Sequence, residues 1–270
     1  MKNTQEVEES IYKPAAMNIM GVPVAAFKSY DQALGLIEET VESKQKAFWG
    51  AINPMKIHNA WHKPELLGLL KQLDVSFCDG VGVSIASQIL YGKCIKRITG
   101  CDLFFKIISL ASRKKWCVYL LGASAESNDN ARLRLQEKYP GLEIVGQDGY
   151  FKDSSKVVEH INAIKADLLF VAMGSPKQEQ WISQHRQAIN ASFCMGVGGS
   201  FDVAAGRVRR APKLFRMTGT EFLFRIAMEP RKRFAHNWIL LSFFLRVVRQ
   251  KIAGPSISVG LNQKDVTVRT

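Results

Sequence analysis

The sequence predicts an α/β fold: a mostly parallel sheet with helices on both faces, followed by a basic helical appendage. Three observations carry this. Short apolar runs bounded by turn residues alternate with helix-like segments along most of the chain, the order that builds parallel sheets. Several of these runs are continuously apolar, as strands covered on both faces must be. After Ala211-Pro212 the alternation stops and a basic, aromatic-rich helical sequence takes over.

In chain order, the predicted strands are Phe48–Ile52, Val75–Cys78, Cys117–Leu121, Glu143–Gly146, Leu168–Met173 and Phe193–Val197. Between and after them lie helix-like segments at Pro64–Leu73, Gly82–Leu90, Leu103–Ser112, Ala125–Tyr139, Ser154–Ile164 and Gln178–Ile189. The arrangement is Rossmann-like. Residues 1–206 are expected to form the α/β core. Within it, residues 1–46 read as a loosely organised piece that begins with a possible strand at Met17–Ala26. Residues 207–270 are expected to form the appendage.

At 270 residues the chain is long enough to bury a large core. Its five cysteines form no Cys-x-x-Cys pair, and most fall in or beside apolar runs, which suits reduced, packed thiols in a cytosolic protein. Residues Met1–Ser10 carry Glu6, Glu8 and Glu9 and no apolar stretch, so no secretory signal is expected.

Charge is uneven. Arg207–Lys251 holds twelve basic residues against two acidic ones, ten of the thirteen net positive charges. Such a block seeks phosphate, whether of a nucleic acid, an anionic lipid or a diphosphate ligand, or else is a solvated face.

Each strand end is polar or glycine-rich: Asn53-Pro54, Asp79-Gly80-Val81-Gly82, Gly122-Ala123-Ser124, Asp148-Gly149-Tyr150, Gly174-Ser175-Pro176-Lys177-Gln178, and Gly196-Val197-Gly198-Gly199-Ser200-Phe201-Asp202. In open α/β sheets ligands bind at this edge, and small residues let backbone N–H groups approach a phosphate. Together the six ends describe a crevice for an anionic, nucleotide-sized ligand. No Gly-x-Gly-x-x-Gly opens a helix and no Gly-Lys-Ser/Thr closes a P-loop, which counts against dinucleotide dehydrogenases and P-loop enzymes. There is no Asp-x-Asp and no His/Cys cluster at metal spacing, so no metal and no cofactor are expected.

The motifs Asp79-Gly80-x-Gly82, Arg97-Ile98-Thr99-Gly100-x-Asp102-Leu103, Leu121-Gly122-Ala123 and Gly149-Tyr150-Phe151 are specific in combination. So are Gly174-x-Pro176-Lys177-Gln178-Glu179-x-Trp181, Gly196-Val197-Gly198-Gly199-x-Phe201-Asp202, Arg210-Ala211-Pro212, Glu221-x-x-x-Arg225 and Glu229-Pro230. Over about Phe48 to Arg233 the chain resembles the WecG/TagA/CpsF glycosyltransferases. The resemblance implies inverting transfer of a hexose or N-acetylhexosamine-type sugar from a UDP-sugar to an undecaprenyl-diphosphate-linked saccharide, in cell-surface polysaccharide biosynthesis. It places Asp79 at the position of the catalytic base. Arg97, Gln178 and Asn53 match positions around the donor and acceptor sugars. Tyr150 and Asp202 match positions that hold the uridine, with Gly198 and Gly199 letting the nucleotide lie against the backbone. Arg225 and Lys232 are candidates to meet the diphosphate. Two departures bear on detail: Ala51 stands where many members have Thr, and the register after Pro230 gives Lys232 and Ala235 where members often have two arginines.

The tail adds its own signal. In Trp238–Arg249 the polar residues Ser242, Arg246 and Arg249 form one helical stripe and the rest is apolar. The run is too short to span a bilayer, which takes about 20 apolar residues. The sequence alone fits equally a helix lying in an anionic membrane surface and one packed on the domain or in a homo-oligomer interface. The lipid-linked acceptor that the resemblance implies favours the membrane-surface helix, at about 232–251, with Phe243 and Phe244 on its lipid side. The expected location is the cytoplasmic, inner face of the cell membrane, with the UDP-sugar and the lipid-diphosphate-linked glycan as partners and no nucleic acid. The alternative, a nucleic-acid-binding or RNA-modifying α/β protein, uses the basic block but leaves Asp79, Gln178 and the glycine loops without a role. A non-catalytic membrane scaffold leaves Asp79 and Arg97 equally idle.

Overall fold

A computed structural model describes residues 14–208, 210–212, 215 and 230–254. Its centre is one eight-stranded sheet made of β1 (Ala16–Ile19), β2 (Val22–Ala25), β3 (Ala47–Ile52), β4 (Val75–Cys78), β5 (Val118–Gly122), β6 (Ile144–Gln147), β7 (Leu168–Ala172) and β8 (Phe193–Gly196). The order is β1-β2-β4-β3-β8-β7-β5-β6. Every pairing is parallel except β1 with β2. The predicted α/β class and the six central strands are therefore present.

The central strands are buried on both faces, and alternate side chains feed two cores. Phe48, Tyr119, Leu121, Leu169 and Val171 enter one; Trp49, Val118, Leu120, Leu168 and Phe170 enter the other. The first core is covered by α2 (Pro54–His62), α3 (Pro64–Lys71), α4 (Val81–Tyr91), α7 (Ser154–Ala163), α8 (Lys177–His185) and α10 (Pro230–Ala253). The second is covered by α1 (Tyr30–Glu42), α5 (Gly100–Lys114), α6 (Ala125–Lys138) and α9 (Ser200–Ala204). Side-chain caps fix where several helices start: Ser29 for α1, Asn53 for α2, Thr99 for α5, Ser124 for α6 and Asp153 for α7.

The N-terminal stretch differs from expectation. Met17–Ala26 is a hairpin rather than one strand, because Met20 and Gly21 both take positive φ (52° and 87°), the backbone of a tight two-residue hairpin turn. Asn18 Oδ1 accepts from the Gly21 amide at 2.7 Å and closes that turn. The region expected to be loosely organised up to Lys46 thus holds this hairpin and the four-turn α1, whose Ala33, Ile37 and Val41 are buried. The helices α2 and α9 also went unread in the sequence.

The tail helix α10 is a packed element of the domain and lies against α2 and α4. Phe243 and Val247, one turn apart, are fully buried. This corrects the expectation that Phe243 faces lipid. Gln250 Oε1 accepts from the Met20 amide at 3.0 Å, and Lys251 Nζ donates to the Leu90 carbonyl at 2.8 Å, so the end of α10 clasps the β1–β2 turn and the C-terminus of α4. On the opposite side Trp238, Leu241, Leu245, Val248 and Ile252 are exposed. Among the described residues no helix is long and apolar enough to cross a membrane.

Candidate active site

The site follows from the sheet order. Neighbouring strands β5 and β7 send their connections in opposite directions, β5 to β6 on one side and β7 to β8 on the other. Diverging connections open a crevice at the carboxyl ends of such strands. Gly122 brings the two ends close: a Cβ there would meet the Ala172 carbonyl oxygen at 2.5 Å, and its φ of +117° suits only glycine.

On one side of the crevice, the ends of β3 and β4 bring Asn53 and Asp79 together. The Asp79 amide donates to the Ile52 carbonyl at 2.9 Å. Gly80 packs against Asn53 and Pro54 so closely that a Cβ would lie 2.9 Å from Pro54 Cδ. The Ile98 amide donates to the Cys78 carbonyl at 2.8 Å, which draws Arg97 and Thr99 alongside. The Gly100 amide, in the first turn of α5, donates to Asp79 Oδ1 at 2.8 Å. A helix N-terminus favours negative charge, so the carboxylate is both oriented and stabilised there. Burial pushes the thiol of the preceding Cys78 up to about 12, which keeps it protonated.

The α5 N-terminus is itself held. Thr99 Oγ1 accepts from the Asp102 amide at 3.2 Å and donates to Asp102 Oδ2 at 2.6 Å. Asp102 Oδ1 pairs with Arg210 Nη1 at 2.5 Å. The Thr99 amide donates to the Tyr30 hydroxyl at 2.9 Å. Burial, ahead of the smaller opposing effect of its hydrogen bonds to Thr99, raises the Tyr30 pKa, so Tyr30 remains a neutral phenol. Sequence reading had no role for Tyr30, Asp102 or Arg210, although the last two stand in quoted motifs.

Across the crevice an open pocket of about 470 Å³ is lined by Ala123, Ser124, Ser127, Asp202, Arg207 and Val208. It lies at the N-terminus of α6, where backbone N–H groups suit an anion. Asp202 Oδ1 accepts from Ser127 Oγ at 2.7 Å, and Arg207 pairs with Glu126 at 2.8 Å. Tyr150 is 81% exposed. It follows Gly149, whose amide donates to the Ala123 carbonyl at 2.9 Å, so the backbone leading into Tyr150 runs next to a residue of the pocket wall. Gly198 takes φ +51° in the loop leading into α9, the helix that carries Asp202. Beneath, Asn128 Nδ2 reaches the carbonyls of Leu120, Gly122 and Gln147 within 3.1 Å and ties β5 to β6. Ser124 and Arg207 appeared in the sequence only within a strand-end motif and the basic block, with no role of their own, and Ser127 was not singled out; the Ser-x-x-Ser cap of α6 was the only local signal for the two serines.

Gln178 lies between the two sides but is only 3% exposed. Its Oε1 accepts from the Gly198 amide at 3.1 Å, and its Nε2 donates to Glu179 Oε1 at 3.0 Å. Glu179 pairs with Lys56 at 2.9 Å. The structure therefore gathers Asn53, Asp79 and Arg97 on one side, Tyr150, Gly198, Gly199 and Asp202 on the other, and seats Gln178 beneath the glycine loop. Lys232 falls on α10; Arg225 lies outside the described residues. Chemically, the arrangement offers an oriented carboxylate at one side of the crevice and, at the other, an open pocket of nucleotide size at a helix N-terminus.

Among known proteins, the family described as glycosyl transferase WecG/TagA/CpsF matches this chain over residues 17–256. A protein of Bacillus spizizenii named N-acetylglucosaminyldiphosphoundecaprenol N-acetyl-beta-D-mannosaminyltransferase is 34% identical over 193 residues, covering 71% of this chain and 75% of its own. Proteins of the same name from two Staphylococcus aureus strains are 35% identical over 189 residues (70% of this chain, 74% of theirs) and 33% identical over 211 residues (78% and 83%).

Proposed function

The chain belongs to the WecG/TagA/CpsF family of glycosyltransferases, and on that premise we propose that it transfers a sugar, with inversion, from a UDP-sugar to a saccharide linked to undecaprenyl diphosphate. The observation that carries this reading is Asp79, seated on the α5 N-terminus beside Asn53 and Arg97 and across the crevice from the Asp202 pocket.

Inversion in one displacement needs one base. The acceptor hydroxyl gives its proton to the Asp79 carboxylate as its oxygen bonds to the anomeric carbon. The bond from that carbon to the UDP oxygen breaks on the opposite face, and UDP leaves with the electron pair. Arg97, Arg225 and Lys232 are the proposed partners of the sugar and diphosphate, which would make the reaction independent of a divalent cation. Tyr150 stacks on the uracil ring, Asp202 accepts from the nucleoside, and Gly198 and Gly199 admit it to the backbone. The relatives' names support an N-acetylmannosamine donor and an N-acetylglucosamine-headed acceptor. Ala51, lacking the hydroxyl common at that position, leaves the donor defined as a hexose or N-acetylhexosamine.

The acceptor's lipid requires the enzyme to work at a membrane. The outward stripe Trp238, Leu241, Leu245, Val248 and Ile252, flanked by the exposed Arg249, suits a helix lying on an anionic inner leaflet. The test is direct: the purified chain is incubated with a set of UDP-hexoses and UDP-N-acetylhexosamines and a short-chain lipid-diphosphate N-acetylglucosamine. Mass spectrometry should find one added sugar and released UDP for one donor. Release of UDP without sugar addition under any acceptor, or no turnover of any UDP-sugar, would overturn the reading.

A further inference from the structure

Beneath the crevice lies an ion pair that the transfer chemistry does not use. Lys56 and Glu179 have side chains 8% and 1% exposed, and Lys56 Nζ stands 2.9 Å from Glu179 Oε1. Glu179 Oε2 is buried with no hydrogen-bond partner. Such a pair is poor economy as a staple. Desolvating two charges offsets most of their attraction, and well-packed apolar residues of the same size commonly hold a fold as well or better. Lys56 also lies in the first turn of α2, where a cation opposes the helix dipole.

What the pair provides is direction. Glu179 Oε1 is a carboxylate oxygen and can only accept, so the Gln178 atom facing it at 3.0 Å must be the nitrogen. The Gly198 amide can only donate, so the atom facing it at 3.1 Å must be the oxygen. Gly196 leaves the room: a Cβ there would lie 2.4 Å from Gln178 Nε2. The same Lys56 donates its backbone N–H to Asn53 Oδ1 at 2.9 Å. One connected set of contacts therefore runs from Asn53 on the acceptor side, through Lys56, Glu179 and Gln178, to Gly198 on the nucleotide side.

We propose that Lys56 and Glu179 are positioning residues: they fix the polarity of the Gln178 amide, and through it the Gly198 loop, so that the two sides of the crevice keep one spacing. The catalytic consequence rests on the transferase reading above; the positioning itself does not. The test uses the full chain carrying Lys56→Met and Glu179→Leu together, which removes both charges without leaving one unpaired, and separately the isosteric Glu179→Gln. Amide hydrogen exchange by NMR is read at Gly198 and, as a reference, along Phe193–Gly196.

The expected result for the double variant is a cooperative fold, exchange at Gly198 faster by roughly tenfold with the reference strand unchanged, and UDP affinity within a few-fold of the parent. Misplacement of the crevice should lower kcat by about 10²-fold with little change in KM for the UDP-sugar. Glu179→Gln carries the same expectation at Gly198 if the double variant fails to fold. Unchanged exchange at Gly198 overturns the proposal whether or not the protein is a transferase. Faster exchange with unaltered kcat overturns it too, since the spacing would then have no catalytic use. Absence of transfer in the unmodified chain would count against the transferase reading, while Gly198 exchange would still decide the positioning.

Discussion

The Gly100 amide and Asp79 Oδ1 are 2.8 Å apart, which rests the carboxylate at the end of β4 on the first turn of α5. Sheet and helix thus meet at the proposed base, and whatever fixes the α5 N-terminus also fixes Asp79. Three contacts do so: the Thr99 cap, the Tyr30 hydroxyl and the Asp102–Arg210 pair. The last ties the core to the start of the basic block.

Asp79→Asn keeps an oxygen for the Gly100 amide but removes the basic one, so geometry survives and proton transfer does not. Transfer should fall by about 10²–10⁴-fold, while UDP affinity stays within a few-fold. Isothermal titration with UDP alongside a product assay separates the two. Turnover near that of the parent would remove Asp79 from the role.

Tyr30→Phe removes the acceptor for the Thr99 amide and leaves a buried donor unsatisfied. The cost expected is ~1–3 kcal/mol of stability in urea or guanidinium unfolding. Since Asp79 depends on the same turn, kcat should drop more than UDP affinity. A variant as stable as the parent would mean that the Thr99 amide finds another acceptor.

Much of this was legible in the sequence, for physical reasons. Central strands buried on both faces must be apolar throughout, so Leu168–Ala172 and Phe193–Gly196 declared themselves within a residue or two. Asp79 and Asn53 were visible as polar residues directly after such strands, at the ligand edge, but only the family resemblance gave them roles; Asp79 alone reads as a turn-forming residue before Gly80. The hairpin was hidden because Met20, at its turn, is as apolar as its strands, and only Gly21 marked the break. Lys56 and Glu179 stand 123 residues apart, and Asp102 and Arg210 108 apart. No local pattern announces partners at that distance. On the tail helix the sequence pointed to an apolar surface but not to which side of it the domain covers.

Metal independence is motivated by the missing Asp-x-Asp and by the basic block. Among the described residues no group of three or more His, Cys, Asp or Glu side chains converges as a metal site would. Transfer should persist in excess EDTA without added Mg²⁺ or Mn²⁺. Loss on chelation with recovery on Mn²⁺ would show that a cation meets the leaving diphosphate.

Acid should weaken the fold where α10 meets α2. His58 is held below its ordinary value of 6.5, first by burial and then by the nearby His62 and Arg246. Arg246 donates to His62 Nε2 at 3.0 Å and stacks over Trp61. Because the folded state keeps His58 neutral where the unfolded chain takes up a proton, stability is full above about pH 6.5 and falls as pH drops from there through the lowered folded value. Melting temperatures measured from pH 7.5 to 5 should therefore decline more for the parent than for His58→Gln, which cannot titrate. Parallel curves would assign the acid sensitivity elsewhere.

The two sides of α10 should separate membrane binding from folding. Phe243 is fully buried against the core, so Phe243→Ser should cost ~3–5 kcal/mol, the range for emptying a buried aromatic site, and lower the melting temperature sharply. Leu241 and Leu245 are 50% and 57% exposed, one turn apart on the outer side. Replacing both with Ser removes little packing and should leave the melting temperature nearly unchanged. It does remove apolar area from the face that, with Arg249 alongside, is proposed to enter an anionic surface. Sedimentation with vesicles of phosphatidylglycerol should fall for this pair of substitutions, and more so at high salt, where the basic contribution of about 1 kcal/mol per residue is screened. Transfer to a soluble short-chain acceptor should be spared, because both leucines face outward from the domain. Undiminished vesicle binding by the double serine variant would place the membrane contact elsewhere, and loss of subunit association in the same variant would assign the stripe to a second copy of the chain instead.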